Sequence, residues 1–171
     1  MERNSGPNLS VDQAGLLKYW VSKCRDGMLP LRGDVSPAEL VFCLPCISIV
    51  ERRNCGTDVF RLTASALRDI LGEECRGRLL KDVCGRAIAW NEALDQAIKT
   101  RSPVFGQVCV DHHLVHQWMR LPLQPMENGR QPLLCYDRVG VLKHGEMPPR
   151  ETMFVTANAF RTNSVLEKSI A

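Results

Sequence analysis

The sequence is short of the features that would take a chain to a membrane or out of the cell. Its first twelve residues (MERNSGPNLSVD) hold no apolar run of the signal-peptide kind. The longest apolar stretches, Leu40 to Pro45 and Cys46 to Val50, are broken by Pro45 and are too short for the ~20 residues that span a bilayer. A cytoplasmic protein with no membrane insertion is expected. No charge sign dominates: 22 basic against 19 acidic side chains leave a net charge of +3, too mild to imply nucleic acid. Missing as well are a Ser-His-Asp arrangement, a phosphate loop, paired carboxylates, and the motifs of kinases, cyclases and phosphodiesterases. A chain of 171 residues also leaves no room for such an output domain. The expectation is therefore a protein without catalytic activity. There is no internal repeat.

A hydrophobic content of 44% is ordinary for one folded domain and argues against disorder. The unusual abundance is cysteine, of which there are eight. Without export, thiols stay reduced and act as small buried hydrophobes, which suits the apolar neighbours of Cys84, Cys109 and Cys135. The 16 arginines outnumber the six lysines. Arg52, Arg53, Arg61, Arg68, Arg76, Arg78 and Arg86 crowd the first half, but acidic residues are interleaved. Ion pairs and solvated faces account for them, with an acidic signalling partner as the second reading.

Local patterns divide the chain. Residues 1–10 read as a disordered leader and 11–38 as an N-terminal helical segment. Ser10 or Asp12 can cap a helix whose Leu16, Leu17, Trp20, Val21 and Cys24 share one face, with Asp26-Gly27 as its end. Ser36-Pro37 opens a second short helix that stops before Pro45. Ile47 to Val50 and Val59 to Leu62 read as paired strands around the turn Arg53 to Gly56. A short helix over Ala64 to Leu71, a turn near Leu79 to Val83 and a longer helix over Ala87 to Lys99 follow. Strands at Val104 to Val110, Leu114 to Leu123 and Leu133 to Leu142 close the core. In the second of these, Val115, Met119 and Leu121 alternate with His116, Trp118 and Arg120. Residues 144–171 form a partly disordered extension around a modestly apolar Met153-Phe154-Val155. Strands grouped around a helical middle give an α+β class: a five-stranded antiparallel sheet with helices on one face.

This order, with a series of short elements, is similar to one known family. Tyr19-Trp20 is followed by Gly27, Leu29-Pro30, Arg32, and Val35 with Ser36-Pro37-Ala38-Glu39-Leu40. Leu44-Pro45, Phe60-Arg61-Leu62, Leu71-Gly72, Gly77-Arg78, Leu80-Lys81-Asp82, Ser102-Pro103-Val104 and Leu121-Pro122-Leu123 come next. Over residues 15–142 the chain resembles the bacterial single-domain PAS proteins whose leading helix carries a Tyr-Trp pair. It departs from them at Ala64-Ser65, where Gly-Thr is usual, and at Arg101-Ser102. The resemblance implies a PAS-like domain over 39–143 and a sensory or regulatory role through protein–protein contact, gated by a small ligand. Phe60, Leu62, Leu67, Ile70, Trp90, Leu94 and Trp118 read as the apolar core around a pocket for such a ligand, either by packing alone or as the lining of a ligand cavity. The resemblance also implies a homodimer or docking contact through the leading helix, where Leu16, Tyr19 and Trp20 are the candidates and the Trp20 stripe buries its face either on the core or on a partner.

Two other readings compete. Cys43-Leu44-Pro45-Cys46 is a Cys-x-x-Cys pair, which with His113 and His116 would make a metal- or redox-responsive sensor. A redox pair needs its first thiol at a helix N-terminus, whereas this one follows a helix, and His112, His113 and His116 read more simply as a solvated turn with an edge histidine. The third reading is an enzyme with an unrecognised pocket. No cofactor is expected. Asn54-Cys55 is similar to a flavin-reactive pair but sits in a turn, and the long helix at 87–99 has no histidine for haem.

Overall fold

Ser10 opens the first helix as a reciprocal cap: its Oγ accepts from the Gln13 amide at 3.2 Å while Gln13 Oε1 accepts from the Ser10 amide at 3.0 Å. The helix this starts, α1 (Val11–Lys23), is the first element of a computed structural model that describes residues 9–84, 89–111, 113–142 and 152–155. The expected residues 1–8 of the leader, the start of the long helix, His112 and most of the 144–171 extension lie outside the described residues. Helix α1 ends at Lys23, ahead of Asp26-Gly27. Those two residues, with φ of 49° and 75°, instead make a tight turn closed by the Arg25 and Met28 backbones.

The second helix expected at Ser36 is not an α-helix. Pro37 opens one 3₁₀ turn, Pro37–Leu40, and Pro45 lies in a second, Leu44–Cys46, first-turn positions where a missing amide costs nothing. Then come strands β1 (Ile47–Arg52) and β2 (Asp58–Leu62), and helices α2 (Ser65–Leu71), α3 (Leu80–Cys84) and α4 (Asn91–Thr100). Helix α3 occupies the stretch read as a turn. Helix α2 is closed by Gly72 at φ 74°, whose amide donates to the Arg68 carbonyl at 2.7 Å. Strands β3 (Val104–Asp111), β4 (Leu114–Pro122), β5 (Gln131–Val141) and β6 (Thr152–Val155) complete the order.

The expected five-stranded antiparallel sheet is present, in the order β2-β1-β5-β4-β3, and β6 adds a sixth strand along the β3 edge. Helices α2, α3 and α4 lie on one face, where Val50, Phe60, Leu67, Leu80, Trp90, Leu94 and Trp118 share a core. Helix α1 covers the opposite face: Leu16, Leu17 and Trp20 pack with Ile47, Ile49, Met119, Leu121, Leu134 and Tyr136. Alternation along β4 and β5 divides the two cores, since successive side chains leave opposite faces of the sheet.

Candidate functional site

The centre of the helical face holds the most unusual chemistry. β4 places His116, Trp118 and Arg120 on that face, and the β4–β5 register sets Asp137 opposite Trp118. Asp137 is thereby diagonal to both His116 and Arg120, within reach of long side chains. Arg120 and Asp137 are fully buried, and His116 is 7% exposed. Arg120 Nη2 donates to Asp137 Oδ1 at 2.8 Å and Nη1 to Oδ2 at 3.1 Å, a two-pronged pair. His116 Nε2 lies 2.8 Å from the same Oδ1. An ionised carboxylate only accepts, so Nε2 is the donor in this contact.

The rest of the guanidinium is equally committed. Nε donates to the Ala89 carbonyl at 2.8 Å, and Nη1 reaches the Met119 and Tyr136 carbonyls at 2.9 and 3.0 Å. Its carbon sits 3.8 Å from the Trp90 ring centre and 5.5 Å from that of Trp118, and Phe60 meets Trp90 edge-on at 5.5 Å. A buried charge persists only when paired and hydrogen-bonded, and Arg120 meets both conditions. It ties Ala89 and Trp90, at the entry to α4, to the middle of the sheet.

Of the pocket residues predicted from sequence, Phe60, Leu67, Trp90, Leu94 and Trp118 gather in this one cluster, with Ile70 at its margin. Leu62 does not join them. It is the last residue of edge strand β2, just beyond a register shift, and is 43% exposed. Of the two alternatives for the α1 stripe, Leu16 and Trp20 take the core one: both are buried on the protein's own sheet, and Trp20 Nε1 donates to the Pro122 carbonyl at 2.9 Å. Tyr19 is half-buried, its hydroxyl donating to the Asp34 carbonyl at 3.1 Å and accepting from the Ser36 amide at 2.8 Å.

The proposed metal set is not assembled. Cys43 and Cys46 pack in the α1-side cluster, His116 is on the helical face, and His113 is exposed in the β3–β4 turn. No group of three metal-ligating side chains comes together among the described residues. Burial, with smaller contributions from Asp12 and Cys46, pushes the Cys43 thiol up to about 12, and burial raises Cys46 as well, so neither is a ready thiolate. All eight cysteines are free. His116 also departs from the solvated reading, because its phase along β4 turns it under the helical layer. Arg120 and Asp137 are the residues that sequence reasoning passed over as a pair. The available signal was a charge inside each of two apolar strands, which burial rules convert into an ion pair.

With this geometry in place, the family is clear. A family model of the PAS domain matches residues 10–131. The chain belongs to the PAS domain family, whose members are generally sensory or signalling modules. The match begins at residue 10 and so takes in α1. No curated protein and no solved structure shows a significant match. No helix among the described residues is long and apolar enough to cross a membrane.

Proposed function

We propose that this chain is a cytoplasmic, non-enzymatic PAS regulator that works through protein–protein contact, as a homodimer, and is gated by a small ligand beneath α2–α4. The observation that carries the contact is an apolar surface beside α1. Val11, Val41, Phe42 and Leu44 are all exposed, Val11 at 88% and Val41 at 67%. A side chain at Gly15, one turn after Val11, would stand 3.1 Å from the Phe42 ring, so the helix and this loop share one face. Clustered apolar exposure of this kind marks an interaction site in a domain whose own core is complete. An acidic partner is less well supported, because Arg52, Arg61, Arg68, Arg78, Arg130 and Arg138 are each paired with a carboxylate of this chain.

The gating half of the reading rests on the Arg120 contacts, which make the seating of α4 depend on the polar cluster under it. An enzymatic reading would make His116 and Asp137 an acid–base couple. Asp137 is held by both prongs of Arg120 and His116 is nearly closed to solvent, so a supporting role fits them better. The test is sedimentation equilibrium of the wild type and the Val41→Asp/Phe42→Asp variant. A dimeric wild type, and a variant that is monomeric yet melts within a few degrees of it, are expected. A wild type that stays monomeric at high concentration would overturn the homodimer.

A further inference from the structure

The two edges of the sheet are covered by segments of different standing. A bare edge would offer its amides and carbonyls to any other strand. Along β2 the cover lies within the family match: the Phe60 carbonyl accepts from the Gly77 amide at 2.8 Å, and the Phe60 amide donates to the Arg78 carbonyl at 3.1 Å. Along β3 the cover is β6, which pairs antiparallel with Val104–Gln107 and lies past residue 131, where that match ends. It is a strand of only 4 residues. Its Met153 stands opposite Gly106 and packs against the helical-face core, where β6 meets α4.

The tether of β6 has slack. Its start is fixed, because the Leu142 amide donates to the His113 carbonyl at 2.8 Å in the β3–β4 turn. Val141 stands level with Asp111 through Leu114. To reach Gln107, the chain must cross the spacings between β5 and the far side of β3 and descend from Asp111, ~20 Å in all. Fully extended, residues 142–152 span ~30 Å. We propose that the β3 edge is a strand-acceptor site whose second occupant is residues 152–155 of another copy of this chain, in a reciprocal exchange of β6. A second copy brings the identical strand in the identical register, so the contacts of the closed monomer are kept and only the tether changes course. This exchange is independent of the α1-side contact surface.

The probe is a fluorescent peptide of residues 150–157 (RETMFVTA) titrated into the full chain. In the wild type the tethered strand competes at an effective concentration in the millimolar range. Met153→Asp sets a charge against the core and frees the edge. That variant is expected to bind the peptide at least ~tenfold more tightly than the wild type, and a peptide with the same change should bind neither chain. Should the variant not fold, nitrogen-15 spectra of the wild type decide: millimolar peptide is expected to carry the amide resonances of 152–155 to free-chain positions. Equal binding of a scrambled peptide, or resonances that stay in place, overturns the acceptor site. The exchange itself is read by small-angle scattering of the Val41→Asp/Phe42→Asp chain, which lacks the other contact. This chain is expected to be monomeric at micromolar and to dimerise at millimolar concentration, and a further Met153→Asp change should keep it monomeric. Monomer throughout, or a dimer that survives Met153→Asp, overturns exchange between copies.

Discussion

Replacing Asp137 by asparagine keeps the side chain's shape and removes the carboxylate paired with Arg120, which is fully buried. The guanidinium cannot shed its charge, because arginine stays protonated throughout the accessible pH range. Nor can it reach water without moving Trp90, which stacks on it at 3.8 Å. The new amide also turns an N–H group toward a group that only donates. Breaking a buried pair at one end costs about 3–5 kcal/mol, a large share of the ~5–15 kcal/mol that holds a domain together. For a domain of this size that corresponds to a melting point lowered by roughly 10–20 °C. Urea unfolding followed by tryptophan fluorescence reads the loss. The Arg120→Met/Asp137→Asn double variant removes the stranded charge, and is expected to recover at least ~1.5 kcal/mol relative to the sum of the two single changes. A single variant within ~1 kcal/mol of wild type, or an additive cycle, would refute the claim that this carboxylate sustains the buried arginine.

Three further outcomes are expected. Trp20→Ala should destabilise by about 3–5 kcal/mol in urea, since it empties a core position on the α1 side, while leaving the oligomer mass unchanged; undiminished stability would return that stripe to a contact role. At neutral pH a chromogenic disulfide should label Cys55 fastest, because that thiol is exposed and its pKa is lowered, chiefly by hydrogen bonding to Thr57. Cys55→Ser should abolish the fast phase, and a fast phase that persists contradicts the assignment. Burial raises Cys43, Cys84 and Cys135 from 9.0 to about 12. Below 9 these thiols are protonated in both states, and between about 9 and about 12 the unfolded chain ionises first. Stability should therefore fall as pH rises through that window, with a shallower fall in Cys135→Ala; equal slopes would show that other groups govern the loss.

Helix α1 and the five central strands were legible because each obeys one local rule. A capping residue at Ser10 or Asp12 signals the helix start, and alternation along Leu114 to Leu123 gives β4 its two faces. What escaped depends on register between distant segments. Nothing local says that Asp137 stands opposite Trp118, yet that pairing alone brings Asp137 to Arg120 and His116. The same holds for β6: Met153-Phe154-Val155 read as modestly apolar, and only the edge of β3 turns it into a strand. The metal reading failed for the complementary reason. Cys43, Cys46 and His116 are plausible ligands by type, but the sheet lies between the thiols and the imidazole.

The two faces of the sheet are closed by different means, and this bears on which one can respond to a signal. On the α1 side the contacts are mainly apolar, with Gln13 and Trp20 anchored to the Trp118 and Pro122 carbonyls of β4. Those bonds depend on no titratable group, so that face is a fixed support. On the other side, the entry to α4 is held by one guanidinium that depends on one carboxylate, beside an indole with no acceptor among the described residues. Because Trp118 lends its backbone carbonyl to Gln13 of α1, a shift of β4 at this point reaches the helix that carries Val11 and abuts Phe42.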